Sequence, residues 1–334
     1  MPTTSNGTKG ASVWAGLLTL YLIWGSTYLA IAIAVETIPP FLMAAFRFSI
    51  AGLILLTWSI AREGRSFVAP TKREWRDSAI VGAALIGGGM GLAAWGEQTV
   101  PSGVTALVIA LMPAWAAIFG RVFYGERQPG LALVGIVTGF VGIAILAAPS
   151  VVGGTGALEP FGLAAVMLSP VAWAAGSVFA SHDAVLPRRP LVASGLQMLT
   201  GGALLAIAGV LTGELGDLDL AAITGRSAFA VVYLIVLGSL IAFTVYGWML
   251  RVAPLPFVST YAYVNPIIAV ILGAIILSEP LDLRTVVAGA VIVVAVSLIV
   301  TARGRMAPAR GATAERQPEP ELASPPSPRA VLTD

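Results

Sequence analysis

The chain has 334 residues, of which 57% are hydrophobic and only 11% charged, against the roughly 25% charged that clothes a soluble domain. A net charge of +2 with scattered basic residues excludes a nucleic-acid surface. With no cysteine and one histidine, His182, the chain has no means for disulfides, thiolate catalysis, Cys-ligated metals or a polyhistidine metal site, and no cofactor is expected. The 37 glycines and 22 prolines do not mark disorder, which requires low hydrophobicity and high charge.

A bilayer core about 30 Å thick asks for roughly 20 apolar residues per helix. Interruptions by charge and turn residues divide the chain into spans at 13–35, 40–61, 76–97, 103–123, 131–149, 159–181, 190–212, 228–251, 256–277 and 283–302. The expected fold class is therefore all-α, a polytopic membrane protein of ten transmembrane helices. The first run is too long for a signal-peptide core and lacks a convincing cleavage site, so it reads as a retained helix. Residues 1–12 form a short N-terminal tail. From 303 to 334 the composition turns to Pro, Arg, Glu, Ala and Ser, which predicts a disordered C-terminal tail. With the N-terminus inside, the basic residues gather on the cytoplasmic side, leaving Arg226 and Arg284 outside and Arg47 within a span. Both termini are thus expected in the cytoplasm of a bacterial inner-membrane protein.

The chain also repeats itself. At an offset of 153, Trp95 meets Trp248, Pro101 meets Pro254, Pro113 meets Pro266, Gly120 meets Gly273 and Glu126 meets Glu279. Nearer the start of each half the offset slips to 151 at Gly25-Ser26 and Gly176-Ser177, and to 150 at Gly52 and Gly202. The halves are residues 13–149 and 159–302. Each contains five spans, an odd number, so the second enters the membrane upside down. Such inverted repeats recur in secondary transporters that alternate between inward-open and outward-open states.

The stretches "YLIWGSTYLAIAIAVETIPPFLMAAFRFSIAGLILL" (21–56), "EQTVPSG" (97–103), the Pro and "GER" of the fourth span, "AWAAGSVFAS" (172–181) and "YAYVNPIIAVILGAIILSEPL" (261–281) resemble the EamA-type permeases of the drug/metabolite transporter superfamily. The likeness runs in order from about residue 13 to 302 and is nearest to the bacterial inner-membrane branch. It implies a ten-helix exporter or exchanger of small metabolites such as amino acids or their derivatives, without naming the substrate.

Arg47 is charged and about two turns from the nearest span end, which marks a functional position by default. One reading is a guanidinium that grips a substrate carboxylate or phosphate; the other is a structural pair with Glu36 or Glu97. Trp24, Trp115 and Trp173 sit near mid-span, away from the interfacial belt. Trp24 and Tyr28, Trp173 and Ser177, and Tyr261 and Asn265 are each four apart on one helical face. Together with Arg47 these residues are the candidate lining of a cavity for a small amphipathic solute; the alternative is ordinary helix packing. Pro113 and Pro266 each remove a mid-span hydrogen bond, and Gly88 stands in a glycine run of the third span; these are hinge candidates, or small-residue packing sites. Glu126 and Glu279 end matched spans at opposite faces. They read either as gates or as helix caps, Glu126 with Arg127 as a further partner.

The leading reading is a permease working by alternating access, exporting or exchanging a small solute, with membrane lipid as its other partner. A flippase of the same fold or a lipid-processing membrane enzyme is the alternative, the latter lacking a nucleophile with a base beside it. Monomer and homodimer both remain open.

Overall fold

A computed structural model describes residues 5–152, 157–253 and 255–306 of the chain. Regular structure among them is helical throughout. The order is α1 (Ser5–Ala34), α2 (Pro40–Glu63), α3 (Lys72–Gly96), α4 (Ser102–Tyr124), α5 (Gly130–Val152), α6 (Pro160–His182), α7 (Pro190–Leu211), α8 (Gly225–Met249), α9 (Tyr261–Ile276) and α10 (Leu283–Met306). Nine of these are long and apolar enough to cross a membrane, and α9 is a shorter apolar helix of 16 residues. Four boundaries differ by four residues or more from expectation: α3 starts at Lys72 rather than 76, α9 starts at Tyr261 rather than 256, and the other two lie at the ends of the bundle sequence. Helix α1 starts at Ser5, inside the stretch expected as a tail, and α10 runs to Met306, past the expected end at 302. The expected tail beyond 306 lies outside the described residues.

Local sequence explains where the helices begin. Proline occupies the first turn of α2, α6 and α7, where its missing N–H costs nothing. Thr71 and Glu74 close a reciprocal cap at the start of α3, and the Thr224 hydroxyl accepts from the Ser227 amide at the start of α8. Large apolar side chains such as Leu22, Phe123, Leu211 and Phe229 face outward over most of their surface, as lipid rather than water requires.

Packing follows the internal repeat. Helix α2 lies along α7 and α5 along α10, each against its own counterpart. Helix α1 packs on α8 and α9, and its counterpart α6 packs on α3 and α4. Exchanging the halves maps every one of these contacts onto another, as an inverted repeat demands. The match reaches single residues. A Cβ on Gly52 of α2 would stand 2.8 Å from the Gly195 carbonyl, and one on Gly202 of α7 would stand 3.3 Å from the Ala45 carbonyl, the same contact under an offset of 150. Because lipid tails are as apolar as leucine, such interfaces gain from close contact rather than from excluding water. Apolar clusters fill them, with Phe48, Leu55, Met198 and Leu205 between α2 and α7, and Leu107, Leu111, Leu146, Ile292 and Val296 where α4, α5 and α10 meet.

Candidate functional site

Helices α3 and α8 are not regular throughout. Ala83–Met90 and Leu234–Ile241 widen into π-helical turns, a local distortion that recurs at functional positions. In α3 the turn carries the glycine run. A Cβ on Gly88 would meet the Ala172 side chain at 2.7 Å and one on Gly89 the Trp173 ring at 2.8 Å, so α6 approaches the backbone itself. A widened turn loosens its own hydrogen bonds, and neighbours make good the loss. The Ser169 hydroxyl donates to the Gly89 carbonyl at 2.8 Å, and the Trp24 indole N–H donates to the Gly238 carbonyl at 3.4 Å. Donor helices α6 and α1 are counterparts, as are the accepting turns. No proline or charge marks these turns in the sequence; the glycines in α3 and Gly238-Ser239 in α8 are their only signal.

Arg47 points from α2 into the turn of α8. It is only 3% exposed, its Nε donates to Ser239 Oγ at 3.2 Å, and its guanidinium lies 4.5 Å from the Phe48 ring centre. Neither partner expected for a structural pair holds it. Glu36 pairs with Arg226 at 3.4 Å, and no carboxylate comes within ion-pair distance of Arg47 among the described residues. Glu97, just past the end of α3, is 6% exposed, and neither of its carboxylate oxygens has a hydrogen-bond partner. The fields of Arg47 and Glu279 both reach it, and it acts in turn on Tyr28. Burying such a group in ionised form costs several kcal/mol unless a charge or donor meets it. Glu97 is the residue that the linear reading undervalued. The sequence offers it as one possible structural partner of Arg47, whereas the fold buries it without an ion-pair contact.

An aromatic cluster closes around Trp24, whose indole also reaches the α8 turn that Arg47 enters. Its ring centre lies 4.9 Å from Tyr261, 5.3 Å from Tyr246 and 5.8 Å from Phe243, and the Tyr246 and Tyr261 rings meet edge-on at 5.9 Å. Asn265, one turn beyond Tyr261, is buried with its side-chain carbonyl unpartnered. Of the other lining candidates, Tyr28 is half-buried beside this group, on the same face of α1 as Trp24. Trp115 is not brought to it: its ring packs on Phe140 of α5 at 5.2 Å and on Phe119 at 6.2 Å. Trp173 covers the π-helical turn of α3, and Ser177 is half-buried one turn further along α6.

The matched prolines behave differently. Helix α4 breaks at Ala110–Leu111, and Pro113 starts its second half. Pro266 lies inside α9, and the break comes before that helix, at Ser259–Thr260, after a short helix Leu255–Val258. The matched glutamates share a backbone and differ in partners. The Glu126 amide donates to the Gly120 carbonyl at 3.1 Å, and the Glu279 amide to the Gly273 carbonyl at 3.2 Å. Glu126 does not pair with Arg127; it meets His182 Nε2 at 3.1 Å and Arg303 at 3.3 Å. Glu279 caps a helix, though not the next one: it accepts from the amides of Ser102 and Gly103, at 2.7 and 3.0 Å, at the start of α4 in the other half.

The family model for the EamA-like transporter family matches residues 12–148 and again 160–301. The chain is 37% identical over 289 residues to the uncharacterized inner membrane transporter YedA of Escherichia coli, covering 86% of this chain and 90% of that protein. It is 26% identical over 283 residues to the uncharacterized transporter YvbV of Bacillus subtilis, covering 84% and 89% respectively. A solved structure titled "Crystal structure of protein" superposes with a TM-score of 0.59 at 23% identity, covering 89% of this chain and 99% of that one, which shows a shared fold. Two matches to one family model, at the two halves of a duplicated ten-helix membrane fold, make the chain a member of the EamA-like transporter family of the drug/metabolite transporter superfamily, a secondary-type membrane transporter of small molecules.

Proposed function

We propose that this transporter carries small carboxylate-bearing metabolites, amino acids and their relatives, across the bacterial inner membrane by alternating access, in export or exchange, with both termini in the cytoplasm. The observation that carries the reading is Arg47, a buried guanidinium bonded to one serine hydroxyl and unpaired with any carboxylate among the described residues. A solute carboxylate is the partner it lacks. Trp24, Tyr28, Tyr261 and Asn265 supply apolar and amide surface around the rest of the solute, with Trp173 and Ser177 contributed by α6 of the other half; Trp115, packed on α5, stands further off. The halves, residues 13–149 and 159–302, rock about the π-helical turns that contain Gly88 and Gly238 and about the breaks near Pro113 and Pro266. Glu126 and Glu279 latch the two ends.

Counterflow in proteoliposomes tests this. Vesicles loaded with a mixed pool of amino acids and related carboxylates should accumulate one or more labelled members from outside, and Arg47→Gln should weaken the apparent affinity by about tenfold or more, the loss of a charge-assisted contact. Full activity in the variant overturns Arg47 as the carboxylate site. Lipid movement without solute movement overturns the transport reading in favour of a flippase.

A further inference from the structure

Glu97 and Arg47 interact without an ion-pair contact, and the Glu279 carboxylate acts on Glu97 more strongly than the guanidinium does. Within electrostatic reach of Glu97, α1 brings Tyr28, α2 brings Arg47, and the turn between α9 and α10 brings Glu279. Glu279 is engaged by the amides of Ser102 and Gly103. Tyr28 is a neutral phenol. Arg47 is therefore the one cation that reaches Glu97 among these groups, and both Glu97 oxygens are buried without a hydrogen-bond donor. A second anion on Arg47 while Glu97 is ionised would leave one guanidinium facing two carboxylates in a low dielectric, which is costly. With the Glu279 charge met by its two amides, two arrangements balance Arg47: ionised Glu97, or a solute carboxylate with protonated Glu97.

We propose that Glu97 takes up a proton when Arg47 takes a solute carboxylate, so that solute and proton cross the membrane together and the empty carrier returns with Glu97 ionised toward Arg47. The proposal rests on the reading of Arg47 given above. The proton enters from the water on the side where the solute binds and leaves to the water on the side where it is released, so the step is balanced and electroneutral for a monocarboxylate. An exporter of this kind needs no opposing ion gradient. An internal excess of the solute drives both species out.

The test is the pH profile of counterflow for a labelled monocarboxylate from the pool described above. In the wild type, uptake at low solute concentration should fall by about tenfold per pH unit once Glu97 ionises. Glu97→Gln, which copies the protonated form, should keep counterflow and lose that pH dependence. A flat wild-type profile, or a variant profile identical to the wild type, overturns the proposal while leaving the transporter reading intact. If Glu97→Gln does not insert, Glu97→Asp keeps the carboxyl: a displaced pH profile supports the assignment and an unchanged one overturns it. A second readout compares protein with and without solute. The infrared carbonyl band of a buried protonated carboxylic acid should appear when the monocarboxylate is added to purified wild type and should not appear in Glu97→Gln; the same band gained in that variant, or no band gained in the wild type, overturns the assignment.

Discussion

The hairpin after α4 and the hairpin after α9 are the same piece of structure used at opposite ends of the bundle. Gly125 and Ser278 both take the left-handed conformation, with φ of 66° and 55°, and each is followed by a glutamate. In both, the glutamate folds back over a glycine so closely that a Cβ on Gly120 or Gly273 would lie 2.3 Å from a carboxylate oxygen. Yet Glu279 binds two backbone amides at a helix start, whereas the partners of Glu126 among the described residues are two side chains, His182 and Arg303. Backbone amides are fixed by the helix they begin, and side chains swing. The duplicated scaffold thus sets where a latch sits, and the partner sets how rigid it is.

The largest break in that comparison should come from the glycines. Gly273→Ala pushes the Glu279 carboxylate off two immovable donors, and charge-assisted bonds of this kind are each worth about 1.5–3 kcal/mol; a loss of roughly 2 kcal/mol or more in unfolding free energy in detergent is expected. Gly120→Ala displaces Glu126 from partners that can follow it, so the loss should stay under about 1 kcal/mol. Equal losses at the two sites would show that the partners do not matter and that the hairpin alone sets the cost.

A smaller effect separates the latches by salt. Glu279→Gln keeps one acceptor for the α4 amides and loses the charge at a helix start, for about 1 kcal/mol. Glu126→Gln breaks two partly exposed pairs worth about 0.5 kcal/mol, and that difference should shrink in high salt because water and ions reach it. The Glu279→Gln penalty should persist under the same conditions. A penalty that is abolished by salt at both sites would remove the distinction between a fixed and a swinging latch.

The hairpins also show what the sequence can and cannot reveal. Their equivalence is visible at an offset of 153, because Gly120, Glu126, Gly273 and Glu279 are punctuating residues that keep their spacing. Their partners are not visible, since Ser102 and Arg303 lie in distant spans and only packing brings them close. The spans themselves follow from apolar length, with errors at the ends, where helices α1 and α10 run on past the apolar core. The π-helical turns leave almost no trace, because one extra residue in a turn changes bonding without changing composition. Pro113 and Pro266 match in register, yet the chain relieves each proline at a different distance ahead of it. Arg47 stands out as a charge within a span, whereas the isolation of Glu97 depends on which helices cover it.

The smallest expected effect concerns the other carboxylates at the Glu279 end. Glu159 accepts from the Gly162 and Phe161 amides, and Asp282 from the Thr285 side chain and amide; these bonds hold both carboxyls below the usual carboxylate range. A depressed folded value means that the contribution is present above the unfolded value, near pH 4, and fades as pH falls through the folded one. Acid should therefore loosen the starts of α6 and α10, and Glu159→Gln or Asp282→Asn should flatten the low-pH limb of the stability curve while leaving neutral pH little changed. Both groups are largely open to water, so each step should be slight beside the glycine substitutions. An acid limb that steepens in either variant would mean that the carboxylate is repelled by its neighbours rather than held by the helix start, and that the helix starts at this end are not stabilised by charge.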